Sequence, residues 1–220
     1  MRHFVPGLVP LTVLALSQSG CGSAPAARPP VVIQPGAPGE TSRVVTADAA
    51  RVVPVATEAD IKFMQGMIHH HAQALDMTEL MDGRTSDADM KKLGLRIHVS
   101  QNDEIKMMQH WLQVRGQDVP DPRTHHDMED MPGMEHVMMP GMLSPADMAR
   151  LAAAKGSEFD RLFLEGMIRH HGGALVMVQE LFATPGAGQQ SDIFAFASDV
   201  EADQKMEIDR MTAMLKERTK

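Results

Sequence analysis

The stretch Phe163 to Met177, FLEGMIRHHGGALVM, has a twin one hundred positions nearer the N-terminus in Phe63 to Met77, FMQGMIHHHAQALDM. Phe63, Gly66, Met67, Ile68, His70, His71, Ala74, Leu75 and Met77 all recur at the matching places, and Asp60 and Asp160 keep the register upstream. The chain is therefore built from two copies of one unit, each with an adjacent histidine pair. At about 100° per residue, Asp60, Phe63, Met67, His70, His71 and Ala74 share one helix sector, the kind of face a helix buries. His69 projects nearly opposite, and its counterpart is Arg169, which cannot ligate a metal. His69 is expected in solvent, with His70, His71, His170 and His171 inside.

A second helix follows each copy. IHVSQNDEIKMMQHWL from Ile97 and VEADQKMEIDRMTAML from Val200 align Gln101 with Gln204, Glu104 with Glu207, Ile105 with Ile208 and Met108 with Met211. Ile97, Gln101, Glu104, Met108 and Trp111 fall on one face at heptad-like spacing, which puts an amide and a carboxylate among core positions. A buried Glu is costly unless paired or metal-bound. Each half is thus expected to bury two His, a Gln and a Glu.

The 220 residues allow one domain with extensions. A net charge of −8 argues against nucleic acid, which wants a basic face. Tyr is absent while Met reaches 20 residues, an imbalance that calls for an explanation. Residues 1–21 read as an export signal: Arg2 gives positive charge, and Phe4 to Leu16 is apolar but too short to span a membrane. Ser19 and Gly20 before Cys21 look like a lipoprotein cleavage box, from which Cys21 would carry lipid and anchor the chain to a membrane, although Gln18 departs from that pattern. One Cys excludes an internal disulfide and a thiolate cluster. Residues 22–56, rich in Pro, Ala and Gly, read as a disordered or extended tether.

Thr57 opens the first helix, with Glu58 and Asp60 in its first turn, and Gly83 ends it. Ser86 is expected to cap a second helix running to about Val114. The segment 116–143, GQDVPDPRTHHDMEDMPGMEHVMMPGML, breaks the helical pattern with Pro and Gly. Its His125, His126, Met128, Met131, Met134, His136, Met138, Met139 and Met142 are candidate metal contacts, since thioether sulfur suits Cu(I) and imidazole suits both copper states. The competing reading is a connector whose Met residues pack as adaptable filler. Ser144 and Pro145 start a third helix that reaches Phe182 with an interruption expected at Gly156, and Ser191 caps a last helix running nearly to Lys220. Four long helices in two similar pairs, joined by one long crossover, outline an all-α four-helix bundle over residues 57–218.

The GMIxHHxxAL core and the downstream Q-x-x-E-I, from about Thr57 to Leu215, resemble the bacterial family catalogued as domain of unknown function 305. The resemblance implies a ferritin-like bundle, usually exported, with some members associated with copper. On that basis the bundle's metal candidates are His70, His71, His170, His171, Met67, Met167, Glu104, Glu207, Asp60 and Asp160, with copper as Cu(I) or Cu(II) expected before iron. Two alternatives stand beside it. A ferritin-like di-iron or di-manganese enzyme would use Glu-x-x-His, but Met67 and Met167 occupy the place of that Glu. A metal-free module could instead bind another envelope protein, which the sequence does not name. No nucleophile–base pair, phosphate loop or dinucleotide fingerprint is present.

Overall fold

The computed structural model describes residues 32–34, 43–45, 55–122 and 138–218. The expected export signal, Cys21, and the loop candidates His125, His126, Met128, Met131, Met134 and His136 lie outside the described residues. Within the expected tether, β1 (Val32–Gln34) and β2 (Arg43–Val45) pair antiparallel with Ile33 opposite Val44. This small hairpin belongs to a unit distinct from the helical one.

The helical unit contains α1 (Glu58–Glu79), α2 (Ala88–Gln113), α3 (Pro145–Ala153), α4 (Gly156–Ala183) and α5 (Ser191–Arg218). Thr57 and Asp60 close a capping box on α1, each side chain meeting the other's backbone N–H. The cap of α2 is Asp87 rather than Ser86: its carboxylate accepts from the N–H groups of Asp89 and Met90. Ser144 caps α3 ahead of Pro145. The expected break at Gly156 is complete, with Ala154 and Lys155 extended between α3 and α4. Arg84 bridges it: Gly156 N–H donates to the Arg84 carbonyl at 2.7 Å, and Arg84 Nε donates to the Ala152 carbonyl at 2.8 Å.

α1 packs on α2, α4 on α5, and α1 on α4. Side chains tie α2 to α5 along their length, from Arg218–Asp87 through Arg96–Glu207 to Trp111 and Arg115 on Asp192. These pairings run the two helices antiparallel. The interior falls into three layers along the helix axes. One apolar cluster gathers Phe63, Met67 and Ile68 of α1, Met108 and Trp111 of α2, Val178 of α4 and Phe196 of α5. A second gathers Met77, Met90, Ile97, Phe163, Met167 and Met211. Between them every long helix contributes polar residues: His70 and His71, Gln101, His170 and His171, and Gln204 and Glu207, all buried. Burying one large apolar side chain stabilises by roughly 1.5–3 kcal/mol, so the flanking clusters can sustain a polar layer only if its groups find partners. No described helix is long and apolar enough to cross a membrane.

Candidate metal centre

The four histidines of the layer divide into an inner and an outer pair. The inner rings, His70 and His170, meet at a tilt of 39° with centroids 3.9 Å apart. His170 Nε2 lies 2.8 Å from the main-chain oxygen of His70, and His70 Nε2 lies 3.0 Å from the carbonyl of Pro140. A carbonyl only accepts, so both Nε2 atoms carry the proton, and Nδ1 of neutral His170 holds its lone pair. Burial, then the facing rings of His70, His171 and His71, hold His170 well below the ordinary imidazole range, against its hydrogen bond to the His70 backbone.

Each outer histidine meets the glutamate of its own half. His71 Nε2 is 2.6 Å from Glu104 Oε2, and His171 Nε2 is 2.7 Å from Glu207 Oε2. Both rings are fully buried. Their Nδ1 atoms, and that of His170, have no hydrogen-bond partner among the described residues. An imidazole whose one nitrogen is held by a carboxylate while the other is left as a donor is the arrangement that orients histidine toward a metal. The carboxylates differ in setting. The Glu104 side chain is 16% exposed and accepts from Ser100 Oγ at 3.2 Å, whereas Glu207 is 8% exposed and meets Arg96 Nε at 3.5 Å.

The other candidates take different places. Met67 and Met167 are wholly buried, one in each apolar cluster, within about one turn of the histidines. Asp60 stands ten residues before His70, about 15 Å along the helix. Its carboxylate takes the Thr57 N–H and hydroxyl and, at 2.7 Å, the Gly188 N–H, so it binds helix start to turn. Asp160 is buried at the matching remove from His170, with one oxygen unpartnered among the described residues. Among the described residues no three His, Cys, Asp or Glu side chains converge enough to hold a metal ion. His69 corrects the expectation of a solvated residue. It is half-buried, and burial lowers its imidazole pKa against the opposing pull of Asp121.

The described end of the Met/His segment lies against this layer. Besides the Pro140–His70 contact, Gln73 receives the Leu143 N–H at 2.7 Å and donates to the Leu143 carbonyl at 2.9 Å. Met139 sulfur packs over Gly66, close to where a Cβ there would stand. Gly141, at φ +76°, rests on Gly173, where a Cβ would lie only 1.8 Å from the Pro140 oxygen. Gln73, Arg96 and Gly173 are positions that the repeat comparison passed over, because they are where the two copies differ.

The family model for a domain of unknown function, DUF305, matches residues 60–215. The chain belongs to the DUF305 family. A DUF305 protein of Streptomyces coelicolor, a candidate secreted protein, is 27% identical over 73% of this chain and 94% of its own, with a TM-score of 0.62. A DUF305 fragment from Deinococcus radiodurans is 30% identical over 74% and 99%, also at 0.62. CopM in its Cu(II)-bound form is 29% identical over 72% and 96%, at 0.57, and its Cu(I)- and Ag-bound forms are also similar. Among curated protein sequences none matches.

Proposed function

We propose that this DUF305 chain is an exported copper-binding protein of the cell envelope, built as a ferritin-like four-helix bundle and held at the membrane by lipid on Cys21. The observation that carries the reading is the repeated His–Glu pair. His71 and His171 are buried, fixed at Nε2 by Glu104 and Glu207, and left with Nδ1 lacking a partner among the described residues. The similarity to a protein whose Cu(II), Cu(I) and Ag forms have been solved supports the choice of metal. So does the donor chemistry, since imidazole and thioether together favour copper over hard cations.

No three His, Cys, Asp or Glu groups converge among the described residues, and the reading draws on thioethers to complete a site. In this reading Met67 and Met167 lie next to the ring pairs, and Met138, Met139, Met142 and the rest of the Met/His segment acquire the ion. Glu104 and Glu207 then orient the rings. In this reading Asp60 serves as a helix cap.

The test is metal analysis of the purified chain after exposure to Cu(I), Cu(II), Fe(II) and Zn(II), repeated with Met67→Leu/Met167→Leu and with residues 121–142 removed. Copper is expected to be retained selectively, with lower stoichiometry after the deletion and weaker Cu(I) binding in the double variant. Iron retention with dioxygen consumption would turn the assignment to a di-iron enzyme. Retention of no metal would leave a helical interaction module.

A further inference from the structure

Glu104 and Glu207 are equivalent in sequence, yet the surfaces over them are opposite in charge. A cleft of about 240 Å³ opens over Glu104, lined by Met107, Phe196, Asp199, Val200, Ala202 and Asp203. The offset that relates Glu104 to Glu207 also relates Arg96 to Asp199, Ser100 to Asp203 and Met107 to Arg210. By that register, the Met107, Asp199 and Asp203 that line the cleft over Glu104 correspond to Arg210, Arg96 and Ser100. Arg96 indeed stands 3.5 Å from Glu207.

We propose that the cleft between α2 and α5 is the entry route by which a soft metal cation reaches the buried histidine layer at His71, and that Arg96 closes the equivalent approach to His171. The inference rests on the copper-binding reading and adds a direction to it. A cleft with carboxylates over low-dielectric walls concentrates cations and speeds their arrival. Phe196, Val200 and Ala202 supply such walls, and Met107, more than half exposed, offers a soft donor beside Asp199 and Asp203. Glu104 connects cleft to interior. It lines the opening while its Oε2 is bonded to the fully buried ring of His71, whose Nδ1 is unpartnered among the described residues. The second half has the same buried ring and carboxylate, but a guanidinium occupies the outer side of Glu207 and repels an arriving cation. The two halves therefore load in sequence, first and second.

The test follows the ring nitrogens of His71 and His171 by NMR in the full chain as Ag(I), a diamagnetic stand-in for Cu(I), is added. In the wild type, the His71 signals are expected to shift before those of His171. Asp199→Asn/Asp203→Asn should slow the shift at His71 by roughly ten-fold at low ionic strength and reach the same end point. A slowed approach with an unchanged end point marks a route, whereas a lost ligand would alter the end point. Arg96→Gln should bring the shift at His171 forward. Simultaneous shifts of both rings in the wild type, or rates unchanged in both variants, overturn the route while leaving metal binding intact. If Ag(I) and copper are bound nowhere on the chain, the copper-binding reading itself fails.

Discussion

The two halves of the helical unit hold the same buried ring and carboxylate in different surroundings. In the first, His71 and Glu104 sit beneath an open acidic cleft, and His70 Nε2–H donates a hydrogen bond to the Pro140 carbonyl. In the second, Glu207 is shielded and shared with Arg96, and His170 is bonded to the backbone of its counterpart, His70. Duplication kept the interior pair and let the covering residues diverge. The shared residues report what the layer must contain, and the differing ones report how each half meets solvent and the crossover segment.

The widest separation between the halves is expected from removing the two carboxylates in turn. Glu207→Ala leaves His171 buried without its acceptor and Arg96 without its partner, a loss of about 3 kcal/mol on the scale of broken buried pairs. Glu104→Ala opens the His71 nitrogen to a cleft that water can enter, and about 1 kcal/mol is expected. Urea unfolding of both variants, at unchanged slope, makes the comparison. Equal losses would mean that the difference in covering does not reach the pair.

Next in size is the seat of the crossover segment. Gly173→Ala drives a methyl into the Pro140 carbonyl, so the segment's end must lift from α4 at a cost of about 2 kcal/mol. Gly172→Ala, one residue away, meets nothing within 4 Å and should gain roughly 0.5–1 kcal/mol from helix propensity. The repeat makes the contrast sharper, since position 73 in the first copy carries the glutamine that holds Leu143 from the other side. Thermal unfolding of the two alanine variants should therefore shift in opposite directions, and a shift in the same direction would dissolve the seat.

Much of this interior was readable before any coordinates. Periodicity placed His70, His71, His170, His171, Gln101 and Glu207 on buried faces, because one helix face is decided by local spacing and the repeat filtered out coincidence. Periodicity failed at His69, which is half-buried although its helical angle points away from the other two histidines. It also put Glu104 deeper than it lies, since the cleft between α2 and α5 is a property of two helices and not of one. Arg96 and Asp199 escaped for the same reason: each covers a carboxylate of the opposite half, a relation set by packing alone. Gly173 was passed over because its reason for being small is the backbone of the crossover segment, which reaches it from outside α4.

Acid should weaken the metal-free fold through the inner pair. An unfolded imidazole takes up its proton near 6.5, while burial and the neighbouring rings keep folded His170 neutral well below that value. Above about pH 6.5 both states are neutral and nothing is gained or lost. Below it the unfolded state binds more protons, so stability declines as pH falls. His170→Gln keeps a donor for the His70 carbonyl without that titration, and its stability should fall less steeply between about pH 7 and pH 5. Parallel slopes in the two proteins would assign the acid sensitivity elsewhere in the layer.

The smallest expected effect decides what Arg96 is for. Its side chain is 58% exposed, so its attraction to Glu207 is screened and Arg96→Gln should cost less than about 1 kcal/mol. A cycle with Glu207→Gln, which keeps the volume and removes the charge, isolates the pair term from the loss of His171's acceptor. A coupling near zero, together with His171 signals that shift sooner on addition of Ag(I), would mean that the guanidinium governs access and adds little to folding. A coupling of about 2 kcal/mol or more would reverse that. The second half would then differ from the first chiefly in how firmly it is held, and the charge reversal over Glu207 would be a by-product of that bond.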